Sequence, residues 1–488
     1  MIEAAMPKNL FVSRSSAVLN EYREYERGMA TWLNAYVGPL MQGYLQRLQQ
    51  GLGHAKVSVM QSHGGTISAE HAAAQSVQLL LSGPAGGLVG AHYQAARSGI
   101  GRLMSFDMGG TSTDVALLDG AIRLSSEGEI AGYPVAVPMV DMHTIGAGGG
   151  SIAWIDEGGM LQVGPQSAGA SPGPACYGQG GLQPTVTDAN VVLGRLPSEA
   201  ALGGSLSLDL RAAYAAVERI AKPLGFSVEQ AAAGIVAIAN EHMAKALRVI
   251  SVQRGHDPAD YALMCFGGAG GMHVCALADA LGMSSALVPA MGGVLSALGM
   301  MVAPLARQTS RTHIAPLLEL SADVLDGMLH ELERGVVDQL ISEGAKRCRS
   351  EQTLDLRYIG QSTTLPVSWK GCMDQLAEDF HKLHAETFGH KLAMPLELVT
   401  LRVRSESMGE LISLPDVDFS ALAEPVAYCQ VTGYDSVVHV YERDQLANGQ
   451  QITGPAIIME RVSTTWLDNG WGAVNDAAGN LRLSRLGE

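Results

Sequence analysis

Along residues 20–50 the positions Tyr22, Tyr25, Met29, Trp32, Leu33 and Tyr36 recur at spacings of three and four, with acids and arginines on the other face. That period predicts an amphipathic helix, with Pro39 marking a kink or boundary. Lys56–Met60 and Gln78–Leu81 read as short strands, and SGPAGG opens a helix over Leu88–Arg97. The apolar run Leu103, Met104, Phe106 stops at Asp107, and Val115–Leu118 reads as a second buried strand. Asp119-Gly120 then turns into a third, Ala121–Leu124. Ile152–Ile155 is a further strand.

Leu208–Leu224 and Ser227–Val252 are the strongest helices. In the second, Ser227 and Gln230 form a capping box, and Ile235, Ile238, Met243, Leu247 and Ile250 share one face. Tyr261–Phe266 is a buried strand, followed by a glycine loop and a helix over Met272–Leu281. Beyond Arg307 the pattern changes to a helix over Pro316–Glu343, paired strands within Thr353–Trp369, a helix over Met373–Thr387 and strands within Ala427–Trp466. The expected division is residues 1–19 as the remnant of a preceding domain, 20–310 as an α/β domain, and 311–488 as a smaller α+β domain.

Composition narrows the function. A chain of 488 residues is long enough for two or three cores. The net charge of −16 argues against nucleic acid or an anionic membrane as the main partner. The cysteines Cys176, Cys265, Cys275, Cys348, Cys372 and Cys429 contain no C-x-x-C pair, which fits a reducing cytoplasm. The N-terminal stretch has no apolar core of a secretory signal. The charge-free run between Asp279 and Arg307 is interrupted by Pro289, Gly292, Gly293 and Pro304, so it reads as a strand and a core helix, not a membrane span.

The chemistry concentrates between Asp107 and Asp114, in the sequence DMGGTSTD. Gly109, Gly110, Thr111, Ser112 and Thr113 offer backbone amides and hydroxyls to an anion. The two flanking carboxylates suit a divalent cation or a water molecule. The loop joins strand to strand, whereas P-loops and dinucleotide fingerprints join strand to helix, so those two folds are disfavoured. Asp141 and His143 sit two apart in an extended segment and with Asp107 make a candidate set for Mg²⁺, Mn²⁺ or Zn²⁺. Gly267, Gly268, Gly270 and Gly271 follow a strand and precede a helix, a second place for a nucleotide. His63 and His273 are open between structural and ligand roles. Cys176 reads as a buried, inert thiol, and His381 with His384 as part of a solvated helix face.

The Asp-x-Gly-Gly-Thr-x-Thr-Asp hairpin resembles a phosphate loop of the actin, sugar kinase and Hsp70 superfamily. Its wording is most similar to the hydantoinase/5-oxoprolinase family, A-type subunit, which also occurs in acetone carboxylases. Ser-Gly-Pro-Ala at 82–85, Pro-Gly-Pro-Ala-Cys-Tyr-Gly at 172–178, Pro-Thr-Val-Thr-Asp-Ala-Asn at 184–190 and Gly267–Gly271 carry the same resemblance. It implies an actin-like ATPase domain, with ATP and a divalent metal as cofactors and Asp107 and Asp114 as catalytic residues. The implied activity is ATP-dependent opening of a cyclic amide such as a hydantoin or 5-oxoproline. The alternatives are a subunit of a ketone carboxylase and a truncated, inactive nucleotide-binding subunit. A B-type subunit and a homo-oligomer are the implied partners. The resemblance also implies a preceding domain with a second phosphate loop.

Overall fold

A computed structural model describes residues 6–7, 10–125, 128–130, 132–197, 207–408, 412–417 and 421–487. The expected remnant 1–19 therefore lies partly outside the described residues. The chain has mixed α/β content and forms two compact units, each assembled from separated stretches.

The first unit comprises Met1–Ala85, Leu124–Val140 and Ala303–Leu411. Its antiparallel sheet runs in the order Ala306–Pro316, Leu396–Ser407, Cys348–Tyr358, Leu365–Ser368. The helices Ala322–Glu343 and Met373–Phe388 pack on it through Leu325, Leu329, Leu376 and Phe380, against Leu354, Leu356, Leu398 and Val403. Gln78–Leu81 is not a strand: Ser76–Leu79 is a 3₁₀ turn.

The long helix of this unit, Glu24–Leu52, forms as the period predicts and runs through Pro39 without a break. Its fully buried residues are two small ones, Ala30 and Gly38, one polar one, Asn34, and Leu45. Asn34 fixes that orientation, donating to Ser13 Oγ and the Ala74 carbonyl and accepting from the Val77 amide. Much of the apolar stripe consequently faces outward, with Tyr25, Trp32 and Tyr36 exposed.

The second unit comprises Gly86–Arg123, Asp141–Val302 and Ile412–Glu488. Its eight-stranded sheet contains β1 (Arg102–Met108), β2 (Thr113–Asp119), β3 (Met142–Ile145), β4 (Ala262–Phe266), β5 (Ser285–Val288), β6 (Gln451–Thr453), β7 (Trp471–Asn475) and β8 (Leu481–Arg485). The spatial order is β6-β7-β8-β5-β4-β1-β2-β3. β4 is parallel to both β1 and β5, and every other neighbouring pair is antiparallel. Pairing of Asp107 with Phe266 brings the carboxyl ends of β1 and β4 to one edge, where open α/β sheets place their ligands.

Two expectations change here. The division at 310 is replaced, because β8 pairs with β5 (Ser285 with Ser484, Val288 with Leu481), building the C-terminal strands into the sheet that holds the 107–114 loop. The turn at Asp119-Gly120 does not lead to a third sheet strand. Leu124–Ser125 pairs instead with Met139–Val140, and β3 takes the place beside β2.

The helix Val186–Val192 supports the site from behind. Its capping box is made by Thr185 and Asp188, and Asp188 is completely buried. The Asp188 carboxylate accepts from the amides of Ala175 (3.2 Å), Cys176 (2.7 Å) and Thr185 (2.9 Å) and from the Thr185 hydroxyl (2.7 Å). Asp188→Ala leaves those buried donors unsatisfied, and the expected loss is about 3 kcal/mol. Urea unfolding should show a lower midpoint with an unchanged slope. A midpoint equal to that of the unsubstituted chain would show that water or a shifted loop replaces the carboxylate.

Candidate nucleotide and acid-pair site

The loop between β1 and β2 folds tightly because the Gly109 amide donates back to the Ser112 carbonyl at 3.1 Å. Thr113 is buried and donates its hydroxyl to the Ala147 carbonyl. The amides of Gly110, Thr111 and Ser112 donate to no group among the described residues, while Gly110 and Thr111 are exposed. Three consecutive amides without partners are donors left available to an anion.

A second backbone segment, Gly146–Gly150, lies against this loop. The Gly149 amide donates to the Gly109 carbonyl at 3.0 Å, and the Gly150 amide to the Gly110 carbonyl at 2.7 Å. A Cβ at Gly148 would come within 2.7 Å of the Gly110 carbonyl carbon and the Thr111 nitrogen, both backbone atoms that cannot yield cheaply. Thr187, in the first turn of the capped helix, holds Gly149 in turn: its amide and its hydroxyl both donate to the Gly149 carbonyl at 2.8 Å. From the sequence Thr187 reads with Asp188 and Asn190 as an N-cap cluster; the cap is Thr185, and Thr187 serves Gly149 instead. Ser167 reaches the Gly110 carbonyl and the Thr111 hydroxyl at 3.5 Å.

Asp107 and Asp114 are directly paired across β1 and β2. Asp114 is in turn paired with Thr144 on β3, so the three side chains share a face. The Thr144 hydroxyl donates to Asp114 at 2.6 Å. None of the described residues donates a hydrogen bond to the Asp107 carboxylate. Burial, reinforced by the neighbouring Asp114 charge, pushes the Asp107 carboxyl up to about 6. Burial also raises Asp114, opposed by its hydrogen bond from Thr144.

The candidate metal set Asp107, Asp141, His143 is not brought together. His143 pairs with Val115, one residue beyond Asp114, and therefore lies on the opposite face of the sheet from Asp107. Asp141 is ion-paired with Arg254 at 2.5 Å. Among the described residues no group of three His, Cys, Asp or Glu side chains is placed to hold a metal. A cation taken up through one or two carboxylates plus the phosphates of a bound nucleotide remains compatible with the Asp107–Asp114 pair.

Gly267 leaves β4 at φ +78°, with the Asp107 Oδ1 only 2.4 Å from where a Cβ would stand. Ala269 donates its amide to the Met108 carbonyl, so the segment Gly267–Gly271 borders the acid pair. Gly268 is exposed there, whereas Gly270 and Gly271 are buried. His273 is fully buried, with Nδ1 2.6 Å from Asn240 Oδ1, and burial lowers it to about 3. His273 stands at the N-cap of the helix Val274–Leu281, but its side chain makes no capping hydrogen bond and turns to this interior partner. In the first unit His63 is buried as well, accepting from the Gly65 amide at 3.3 Å. Cys176 is buried, and burial with the neighbouring Asp188 raises its thiol. His381 meets the Tyr358 hydroxyl and His384 the His390 carbonyl. His384 is buried and not solvated as expected.

Residues 27–309 match the family described as Hydantoinase/oxoprolinase, and the chain belongs to that family. It is 35% identical over 511 residues to caprolactamase subunit alpha of Pseudomonas jessenii, covering 99% of this chain and 73% of that one. Against 5-oxoprolinase 1 of Arabidopsis thaliana it is 33% identical over 508 residues, covering 97% of this chain and 40% of the relative. The crystal structure of ATP-dependent caprolactamase from P. jessenii matches with a TM-score of 0.86 at 34% identity, over 99% of this chain and 74% of that one. Nucleotide-free acetone carboxylase matches with a TM-score of 0.78 at 25% identity, over 97% and 71%. No described helix is long and apolar enough to cross a membrane.

The acid pair carries a pH signature. A carboxyl raised in the folded state binds its proton more tightly there than when unfolded. Its contribution to stability is therefore greatest below pH 4 and declines as pH rises through about 6. Asp107→Asn removes the buried charge, so the variant should melt higher than the parent at pH 7–8, by on the order of 2 kcal/mol. The gap should close as pH falls toward 4. A gap independent of pH would show that Asp107 is not the titrating group.

Proposed function

We propose that this chain binds ATP at the Gly109–Thr113 loop and takes part in ATP-dependent hydrolysis of a cyclic amide. The observation that carries the reading is the row of unpartnered amides at Gly110, Thr111 and Ser112, set between two raised carboxylates. In the hairpin, strand leads to loop and loop to strand at the carboxyl edge of a mixed sheet, which supports an actin-like ATPase domain. Relatives described as ATP-dependent caprolactamase and 5-oxoprolinase support the reaction class.

An amide carbonyl is a poor electrophile, and phosphorylation of its oxygen supplies a leaving group. The γ-phosphoryl moves from ATP to the lactam oxygen as the bond to ADP breaks. Water then adds at the carbon, the C–N bond breaks as the ring nitrogen takes up a proton, and a second water cleaves the resulting acyl phosphate to carboxylate and free phosphate. The loop amides stabilise charge on the transferring phosphoryl oxygens. Asp107, without a donor of its own and raised toward neutrality, accepts the proton of the attacking water. Asp114, held by Thr144, orients the same region. Asp107 and Asp114 would hold Mg²⁺ or Mn²⁺ together with the phosphates, and the ion would neutralise charge there. Gly267, Gly268, Gly270 and Gly271 border the nucleoside end. A Zn²⁺ site of three protein ligands has no support in the donor set. A B-type partner subunit follows from the family resemblance, and the relative named as an alpha subunit supports a multi-subunit assembly.

A second reading, a subunit of an ATP-dependent ketone carboxylase, draws on the acetone carboxylase match. Identity is lower there, 25% against 34% for the caprolactamase structure. ATP turnover by the purified chain with Mg²⁺ or Mn²⁺ separates the two, assayed with caprolactam, 5-oxoproline and hydantoins and then with acetone plus bicarbonate. We expect lactam-stimulated hydrolysis that Asp107→Ala abolishes. Gly148→Ala, which displaces the Gly110–Thr111 backbone, should weaken nucleotide binding by at least about tenfold. Stimulation by ketone and bicarbonate alone would favour the carboxylase. A chain that binds no nucleotide would overturn the ATP site.

A further inference from the structure

The outward face of the helix Glu24–Leu52 is exposed and largely apolar. From Gly28 to Gln46 this helix carries no charged residue. Its exposed side presents Tyr25 (66% exposed), Trp32 (47%), Tyr36 (67%), Leu40 (72%) and Tyr44 (53%). Trp32 stacks on Tyr36 with centroids 5.7 Å apart and meets the exposed Tyr133 at 5.5 Å, joining these rings into one patch. Side chains of this size, about half exposed, sum to roughly 600–700 Å². That exceeds the scattered apolar exposure of ordinary surfaces and approaches the ~800 Å² that each partner contributes to a stable interface.

The sequence of the face is self-complementary. Reflected through Tyr36, Trp32 falls opposite Leu40, Gly28 opposite Tyr44, and Met29 opposite Gly43. Large groups thus meet small ones in each of the last two pairs. At the ends, Tyr25 falls opposite Arg47, within the run Arg23-Glu24-Tyr25-Glu26-Arg27. Glu24, Glu26 and Arg47 have no ion-pair partner among the described residues. The acids lie in the first turn and the arginine near the other end, so only antiparallel pairing joins them. Spacings of three and four suit two helices packed about 20° from antiparallel.

We propose that this face pairs with the same face of a second copy of the chain, antiparallel, about a two-fold axis at Tyr36. The rings of Tyr36 from both copies meet on the axis, Trp32 and Leu40 flank them, and each Arg47 seats against Tyr25, Glu24 and Glu26 of the other copy. The assignment is independent of the catalytic reading, since none of these residues belongs to the nucleotide site.

Sedimentation velocity of the full chain tests it. The unsubstituted protein should be a dimer at micromolar concentration. Tyr36→Lys, which sets two lysines on the axis, should weaken it roughly a hundredfold. Arg47→Glu should weaken it severalfold, and adding Glu24→Lys with Glu26→Lys should restore it. In a Cys372→Ser background, which removes the exposed native thiol, Tyr36→Cys should cross-link to itself through a short bismaleimide. Tyr44→Cys should not, because its symmetry mate would lie about 24 Å away along the axis. Melting curves identify any variant that fails to fold, and the cross-linking contrast needs no loss of structure to be read. A monomer at all concentrations would overturn the proposal. So would a dimer indifferent to Tyr36→Lys, or equal cross-linking from positions 36 and 44.

Discussion

Backbone meets backbone where the loop Gly109–Ser112 lies on the segment Gly146–Gly150, and the geometry of the candidate site depends on that contact. Amides 149 and 150 occupy the carbonyls of 109 and 110. This leaves the amides of 110, 111 and 112 as the donors still available. Thr187 fixes Gly149 through two hydrogen bonds, and the helix bearing Thr187 is held by the buried Asp188 carboxylate. A residue fully enclosed in the interior thus determines the position of an exposed loop. The arrangement is rigid because hydrogen bonds between main-chain atoms at close approach tolerate little displacement.

The two carboxylates impose the opposite electrostatic demand. Burial and Asp114 act together to discourage charge on Asp107, and no cationic side chain among the described residues offsets them. An anion seated on the loop amides would face an unfavourable interaction with any ionised carboxylate nearby. For unit charges 4–5 Å apart at an effective dielectric of about 20, that amounts to roughly 3–4 kcal/mol. Donors from a few amides are of comparable strength. Under the proposed reading, phosphate binding is therefore nearly balanced without a divalent cation and favourable with one, so nucleotide and metal would bind together. Backbone donors with paired acids thus make a site that discriminates metal-complexed nucleotide from free phosphate, which a cluster of lysines would not do.

How much was legible follows from locality. The hairpin at 107–114 was readable because its strands, its loop and its acids are contiguous, as was the capping box at Ser227 and Gln230. Thr144 was not, because it reaches Asp114 only through the register of β3 on β2. The same register separates His143 from Asp107: one residue of offset changes the face. Gly148 sits in a run of glycines that nothing local distinguishes, and only its approach to residues 110 and 111 assigns it a specific neighbour. The C-terminal strands read as a domain of their own because nothing local shows that Leu481–Arg485 will pair with Ser285–Val288.

The helix at 24–52 shows why a correct period can leave orientation open. Periodicity finds an apolar stripe; its environment depends on what the opposite side can satisfy. Asn34 has donors and acceptors matched by Ser13, Ala74 and Val77, and rotating it outward would strand the Ala74 carbonyl and the Val77 amide, at about 1–3 kcal/mol each. Ala30 and Gly38 permit close approach on that side, where a tryptophan or tyrosine would need a cavity that a close-packed interior does not provide. The unit therefore buries the small side of the helix and leaves the large one. At about 25 cal/mol per Å², several hundred square ångströms of ring surface left in water forgo more than 10 kcal/mol of burial. That quantity is available to association, less the cost of immobilising the partners, and its placement on an uncharged helical face favours an interface formed by pairing of like surfaces.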